Sequence, residues 1–149
     1  MNRRLLIIVL MACLLPLGMQ AQQGTFRFAQ LTDIHLTPNN PNPTEDLLRS
    51  IAQINATDSI DFVLVTGDLT EEGDRATMEK VKSCLDLLKV PYHVALGNHE
   101  TKWSDSGCTA FGEIFGGERF EFEHKGFLFL GFNSGPLMRM AYGDRKSVV

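Results

Sequence analysis

The stretch DFVLVTGD at residues 61–68 decides the fold of this 149-residue chain. Its first part, residues 61–65, is a short and largely apolar run, typical of a strand buried on both faces of a parallel sheet. Gly67 and Asp68 follow at the downstream end of the run, where ligands collect in α/β folds. We therefore expect this strand to place the Asp68 carboxylate at a binding site on the edge of a parallel sheet.

Two further apolar runs end in polar motifs in the same way. Residues 25–31 form a predicted strand that leads into Asp33 and His35, and residues 92–96 form one that leads into Asn98 and His99. Neighbouring strands would gather these carboxylate, imidazole and carboxamide groups at one edge of the sheet. Such oxygen and nitrogen donors suit a pair of hard or borderline divalent metals.

Helical patterns lie between the predicted strands. Thr44 is a predicted N-cap followed by first-turn acids, and Leu47, Ile51 and Ile54 form an apolar stripe at helical spacing. A second helix is predicted over residues 75–88. The resulting order, β-α-β-α-β, favours an α/β fold with a parallel sheet and right-handed crossovers.

The pattern weakens in the second part of the chain. Residues 101–117 are predicted to be loop with one helical turn, and residues 119–124 and 127–132 are predicted to pair as a β-hairpin. His93 lies within a predicted strand and His124 within the hairpin, so neither is expected to bind metal. His124 is expected to be exposed to solvent.

Residues 1–21 have the pattern of a secretory signal peptide. Two arginines precede the uncharged apolar residues 5–15, and Ala21 offers a small residue for cleavage. The apolar stretch is too short for a typical membrane span. We therefore expect an exported protein, periplasmic or secreted. An uncleaved N-terminal anchor and a lipoprotein signal at Cys13 are the alternatives.

Composition excludes some functions for the exported chain. Without residues 1–21 it carries 12 basic and 18 acidic residues, a net charge of −6 with no basic run. Duplex nucleic acid and anionic membranes are therefore poor partners. Cys84 lies on an apolar helical pattern and is predicted to be a small buried side chain. Its spacing from Cys108 is not that of a disulfide framework.

The last six residues, DRKSVV at 144–149, have no turn, capping or tail signal. They are also what the common sequencing-adapter sequence GAT-CGG-AAG-AGC-GTC-GTG encodes. We therefore expect residues 144–149 to be a non-native tail and the natural protein to continue beyond Gly143. Residues 22–143 would be the N-terminal part of one domain.

The spacing of the polar motifs indicates how they would bind metal. Side chains two residues apart on an extended backbone point the same way, so Asp33 and His35 could reach one ion. A carboxylate at Asp68 offers two oxygens and could bridge two cations. The carbonyl oxygen of Asn98 could bind the second ion. His99 would lie close to the ions without binding them and donate a proton or hydrogen bond to the substrate.

These three motifs, in this order, resemble those of the calcineurin-like metallophosphoesterase superfamily: Asp-x-His, then Gly-Asp, then Gly-Asn-His-Asp/Glu. The resemblance covers about residues 26–133. It implies a four-layer αββα sandwich, two face-to-face sheets with helices outside, of which this chain contains only the N-terminal half. It also implies that Asp33, His35 and Asp68 bind one metal, that Asp68 and Asn98 bind the other, and that His99 is catalytic. The implied reaction is phosphomonoester or phosphodiester hydrolysis by a water molecule that two divalent metals (Mn, Fe or Zn) activate.

The departures from the family pattern carry information too. The family supplies further histidine ligands downstream, whereas the last of the four histidines here is His124. We therefore expect the 149-residue chain to bind metal poorly and to be inactive alone. Glu71 stands where purple acid phosphatases have a tyrosine, and the Gly-Asp-Leu-Thr string at residues 67–70 is closer to the cyclic-nucleotide-phosphodiesterase-like branch.

Two alternatives remain open at this point. One is a non-catalytic secreted metal-binding domain of the same fold, and the other is a structural site for a single metal formed by Asp33, His35 and Asp68. The acids Glu71, Glu72 and Asp74 could support the metal ligands, but their place before a helix favours a solvated helix start. The substrate, expected to be a small phosphoester, and the oligomeric state are left open.

Overall fold

Three parallel strands form the sheet that carries the predicted site. In this computed structural model, which describes residues 24–104 and 106–133, they are β1 (Phe28–Leu31), β2 (Phe62–Thr66) and β3 (Tyr92–Ala95), in the spatial order β1-β2-β3. The parallel pairing confirms the sequence prediction. β1 begins three residues later than predicted because the Arg27 N–H bonds to the side-chain Oδ2 of Asp61 (2.9 Å) instead of a ladder carbonyl.

The helices occur where the sequence predicts them, with different ends. They are α1 (Asn42–Ala56), α2 (Arg75–Leu85) and α3 (Thr109–Phe115). The prediction that Thr44 caps α1 was wrong, because the helix begins two residues earlier and takes Pro43 into its first turn, where no N–H donor is needed. α2 begins as predicted, with the Asp74 side chain accepting from Thr77 N (2.9 Å), but it ends at Leu85 and not at residue 88.

One face of the sheet packs against the helices and forms the main core. Fully buried Val63 and Val65 of β2 point into it. The helices contribute a set of buried apolar side chains: Leu47, Ile51, Met78, Val81, Cys84, Leu85, Ala110 and Phe111. Cys84 is thus the small buried side chain that the sequence predicts, and Cys84 and Cys108 are both free thiols.

The other face of the sheet packs against a β-hairpin of two antiparallel strands, β4 (Phe120–His124) and β5 (Phe127–Gly131). Phe62 of β2 contacts Phe122 and Phe129 of the hairpin at ring-centroid distances of 5.1 and 5.0 Å. The His93 ring of β3 stacks on Phe122 at 3.7 Å. Burial lowers the pKa of His93. The stacked ring indicates an aromatic packing role for this side chain.

Residues at the turn of the hairpin also contact the Asp61 carboxylate, which directly precedes β2. Asp61 Oδ1 lies 2.9 Å from Lys125 Nζ and 3.1 Å from His124 Nε2. The expectation that His124 is solvent-exposed was therefore wrong, because its ring packs on Phe26 and reaches Asp61. The hydrogen bond from Lys125, then the one from Arg27 N, lower the pKa of Asp61 from 3.8 to about 2.

No helix in residues 24–104 and 106–133 is long and apolar enough to cross a bilayer. The predicted signal peptide and the predicted non-native tail both lie outside the described residues.

We predict that Asp61 stabilises the protein at neutral pH and that this contribution disappears in acid. Its folded-state pKa is depressed, so the stabilisation is present above the ordinary value of 3.8 and is lost as the pH falls through about 2. Thermal unfolding of Asp61→Asn should show a lower Tm than the wild type at pH 7 and a shrinking difference below pH 4.

The matched control is Asp58→Asn, which neutralises an exposed carboxylate three residues upstream. A difference between Asp61→Asn and the wild type that does not change between pH 7 and pH 2 would contradict the assignment.

Candidate metal centre

The loops after β1 and β2 run side by side at the carboxyl edge of the sheet. Asp33 N bonds to Gly67 O (3.3 Å) and His35 N bonds to Asp68 O (3.0 Å). The next pair, Leu36 N and Leu69 O, continues the same run at 3.0 Å. Backbone hydrogen bonds therefore set the relative positions of the residues that carry the first two polar motifs.

Asp33, His35 and Asp68 all have left-handed backbone conformations, with φ of 54°, 49° and 48°. Such values are uncommon outside glycine and cost roughly 1–3 kcal/mol each, so they cluster at functional sites. The extended backbone assumed from the sequence for Asp33 and His35 was therefore wrong. The two side chains still come together, because both loops turn sharply at the end of the strand.

Three of the predicted ligands converge in the structure. One ligand atom each from Asp33, His35 and Asp68 lies within 4.8 Å of the others. His35 Nε2 is 3.9 Å from Asp33 Oδ1, while Asp33 Oδ2 accepts a hydrogen bond from Thr32 Oγ1 at 2.6 Å. The set mixes carboxylate oxygens and an imidazole nitrogen, which fits a divalent cation such as Mn, Fe or Zn.

The loop after β3 reaches the same place through two glycines. A Cβ on Gly97 would clash with Asp68 Oδ1, and one on Gly67 would meet Gly97 Cα at 2.9 Å. His99 N also donates to Asp68 Oδ1, at 3.2 Å. Only residues without a side chain allow the two loops to approach so closely.

Asn98 is exposed and lies between Gly97 and His99, the two residues that approach Asp68. It directly precedes a π-helical turn, His99–Trp103, which the sequence analysis does not predict. A single-turn π-helix has no distinctive sequence pattern, although such turns are frequent at functional sites.

His99 lies beside His35 and not in the group formed with Asp33 and Asp68. The two imidazole rings are perpendicular, with centroids 4.7 Å apart. His99 instead belongs to a second group of potential ligands with His35 and Glu71. Its Nδ1 is 2.6 Å from the backbone carbonyl of Glu71.

Glu71 is exposed, as expected for a solvated position, but it precedes the helix and contacts a predicted metal ligand. Its Oε2 is 2.9 Å from Nδ1 of His35, on the far side of the ring from the nitrogen that faces Asp33. Asp74, by contrast, is the helix cap, and Glu72 is exposed. The sequence signal for Glu71 is its position three residues after Asp68.

Glu100 is a fully buried carboxylate that holds two of the site loops together. Its Oε1 accepts from Leu69 N, Thr70 N and Thr70 Oγ1 at 2.9, 3.0 and 3.2 Å. Its Oε2 accepts from Gly97 N at 2.8 Å. Glu100 occupies the last position of the Gly-Asn-His-Asp/Glu motif, for which the sequence predicts no role.

The described cysteines offer no activated nucleophile. Burial raises the pKa of both the Cys84 and Cys108 thiols, that of Cys108 to about 11. A thiol in this state is inert, because the thiolate is the reactive form.

Comparison with known proteins places the chain in a family that this geometry fits. Residues 26–144 match the family model for calcineurin-like phosphoesterases, and the chain belongs to that family. The family is metal-dependent. The sheet, helices and hairpin described above form part of its mixed α/β fold. The predictions of the family and of the fold class are thus confirmed.

Several relatives are named as probable cyclic nucleotide phosphodiesterases. The one from Rhodopseudomonas palustris is 32% identical over 97 residues, covering 61% of this chain and 33% of its own length. Those from Xenorhabdus bovienii and Moraxella catarrhalis are 30% and 31% identical, covering 50% and 51% of this chain and 34% and 28% of theirs. The chain therefore spans about a third of the length of these relatives. A purple acid phosphatase from yellow lupin, a solved structure, is similar to 58% of this chain and 17% of its own, at 22% identity and a TM-score of 0.38.

We predict that Glu100→Ala lowers the free energy of unfolding by about 3 kcal/mol or more, because it leaves several buried N–H donors without an acceptor. Glu100→Gln should cost less, about 1–3 kcal/mol, because one amide oxygen still accepts while the NH2 group faces a donor. Denaturant unfolding measures both values. Glu123→Gln, at an exposed hairpin position, is the matched control. Equal stabilities for Glu123→Gln and Glu100→Gln would refute the stabilising role of the buried Glu100 carboxylate.

Proposed function

We propose that this chain is the N-terminal part of an exported phosphoesterase that uses two divalent metals to hydrolyse a small phosphoester. The observation that carries the proposal is the convergence of Asp33, His35 and Asp68, with the backbone N–H of His99 bonded to the same Asp68. Membership of the calcineurin-like phosphoesterase family supports the reaction class. The proposed export rests on the signal pattern in residues 1–21.

Each residue has a proposed role. Asp33 and His35 would hold one cation, Asn98 would hold the other, and Asp68 would contact both through its two oxygens. Metals held there would supply the Lewis acidity and the activated water that phosphoester hydrolysis needs. His99 would orient the phosphate or the leaving group by hydrogen bonding, since its ring lies beside His35 at the edge of the ligand group.

A phosphodiester is the favoured substrate class. The relatives named as probable cyclic nucleotide phosphodiesterases support it, and so does the Gly-Asp-Leu-Thr string at residues 67–70.

Only two of the four histidines in the sequence lie at the site, His35 and His99. We infer that the remaining ligands of the second metal come from sequence beyond Gly143, in the full-length product of the same reading frame.

We predict that Asp68→Asn lowers the turnover of bis(p-nitrophenyl) phosphate by the full-length protein by at least about 100-fold, since a lost ligand should cost more than a lost outer partner. The fold should survive, because asparagine tolerates the left-handed conformation and its Oδ1 can still accept from His99 N. The measurement pairs initial rates with Tm and with metal counting per molecule. Full activity of Asp68→Asn would refute its role as a metal ligand, and an inactive wild type would refute the enzyme. One bound metal in the wild type would favour a single-metal structural site.

We also predict that the purified 149-residue chain has little activity on the same substrate and binds Mn²⁺ or Zn²⁺ weakly, because Asp68 and Asn98 would be its only proposed ligands for the second ion. Titration with each metal, followed by rate measurements at saturation, compares it with the full-length protein. A 149-residue chain as active as the full-length protein would show that the downstream ligands are not needed.

A further inference from the structure

Glu71 contacts both imidazoles of the candidate centre. Its side-chain Oε2 lies 2.9 Å from His35 Nδ1, and its backbone carbonyl oxygen lies 2.6 Å from His99 Nδ1. One residue therefore reaches the predicted ligand His35 and the predicted catalytic His99 through the same ring nitrogen of each.

The two contacts determine which nitrogen carries the proton. A carboxylate oxygen and a backbone carbonyl oxygen accept hydrogen bonds and do not donate them, so both Nδ1 atoms must be the donors. In the neutral ring of His35 the lone pair is then on Nε2, the nitrogen that lies 3.9 Å from Asp33 Oδ1. A neutral imidazole with its lone pair on that nitrogen is the form that binds a metal beside Asp33.

The backbone of Glu71 is held independently of its side chain. Glu71 N donates to Leu36 O at 2.9 Å, and the preceding residue, Thr70, is fully buried and bonded to Glu100. The Glu71 side chain itself is about half exposed, at 50%. The Glu71 carboxylate therefore reaches His35 from a backbone that other hydrogen bonds already hold in place.

We propose that Glu71 is a positioning residue for the metal centre: its carboxylate fixes the tautomer and ring orientation of His35, so that Nε2 faces the cation site. This inference rests on the proposed function, because it assigns His35 as a metal ligand. Carboxylates that accept from the second nitrogen of a ligating histidine raise its basicity, and losing them typically weakens metal binding by about 10–100-fold.

The first test reads the tautomer directly, without metal and without activity. In the full-length protein labelled with ¹⁵N-histidine, with signals assigned through His35→Ala and His99→Ala, wild-type His35 should show Nδ1 protonated and Nε2 unprotonated. Glu71→Ala should move His35 toward the other tautomer, while Glu71→Gln, which keeps an acceptor oxygen, should retain the wild-type form.

His99 is the internal control, because a backbone carbonyl is present whatever residue stands at position 71. Its ¹⁵N shifts should stay unchanged in Glu71→Ala. A His35 signal that does not move, or a His99 signal that moves equally, would overturn the proposal, because the second result would mean that the whole loop has shifted.

The second test measures metal affinity. Titration of the full-length protein with Mn²⁺ should show Glu71→Ala binding about 10–100-fold more weakly than the wild type, with Glu71→Gln in between. Glu72→Ala removes the neighbouring exposed carboxylate and should bind like the wild type. Equal metal affinities for Glu71→Ala and Glu72→Ala would overturn the positioning role of Glu71, even if Asp68→Asn abolishes activity. An inactive wild type in which His35 has the expected tautomer would overturn only the proposed function.

Discussion

The buried carboxylate of Glu100 joins the loop after β2 to the loop after β3, and the candidate centre depends on that connection. Its two oxygens accept from backbone N–H groups on both loops, at Leu69, Thr70 and Gly97. Charge-assisted bonds of this kind are stronger than neutral ones, and they lie where water does not compete. Asp68 is adjacent to the first loop segment and Asn98 to the second, so one interaction sets the spacing between residues that arrive from different strands.

The element order could be predicted from the sequence because burial leaves a clear pattern. A strand covered on both faces must be apolar throughout, as residues 62–65 are, and the helices between such strands need only one apolar stripe. The ends of elements were less predictable, because they depend on single hydrogen bonds. β1 is shorter than predicted because the Arg27 N–H donates to the Asp61 side chain. With Pro43 in its first turn, α1 starts ahead of Thr44, the predicted N-cap.

The identities of the candidate ligands could be proposed from motif order, but the way the backbone presents them could not. Left-handed values of φ at Asp33, His35 and Asp68 arise from hydrogen bonds between loops far apart in sequence, such as His35 N to Asp68 O. The contact of Glu71 with His35 is non-local in the same sense, since it spans 36 positions. Local composition indicated only an acidic helix start, and of these acids it is Asp74 that caps the helix.

The backbone strain of the candidate centre lies in the three ligand residues, whereas the contacts that offset it lie in the loop segments on either side. Three left-handed residues together cost several kcal/mol on the ordinary scale of about 1–3 each, and this would favour relaxation of isolated loops. Here the loops cannot relax separately, because Gly67 and Gly97 pack without side chains, and because Glu100 and the Leu36–Leu69 bond hold the segments on either side. Relaxing one ligand residue would therefore break hydrogen bonds in two loops at once. The candidate ligands are thus positioned by the backbone network, and the outer contacts of Thr32 and Glu71 then orient the side chains of Asp33 and His35.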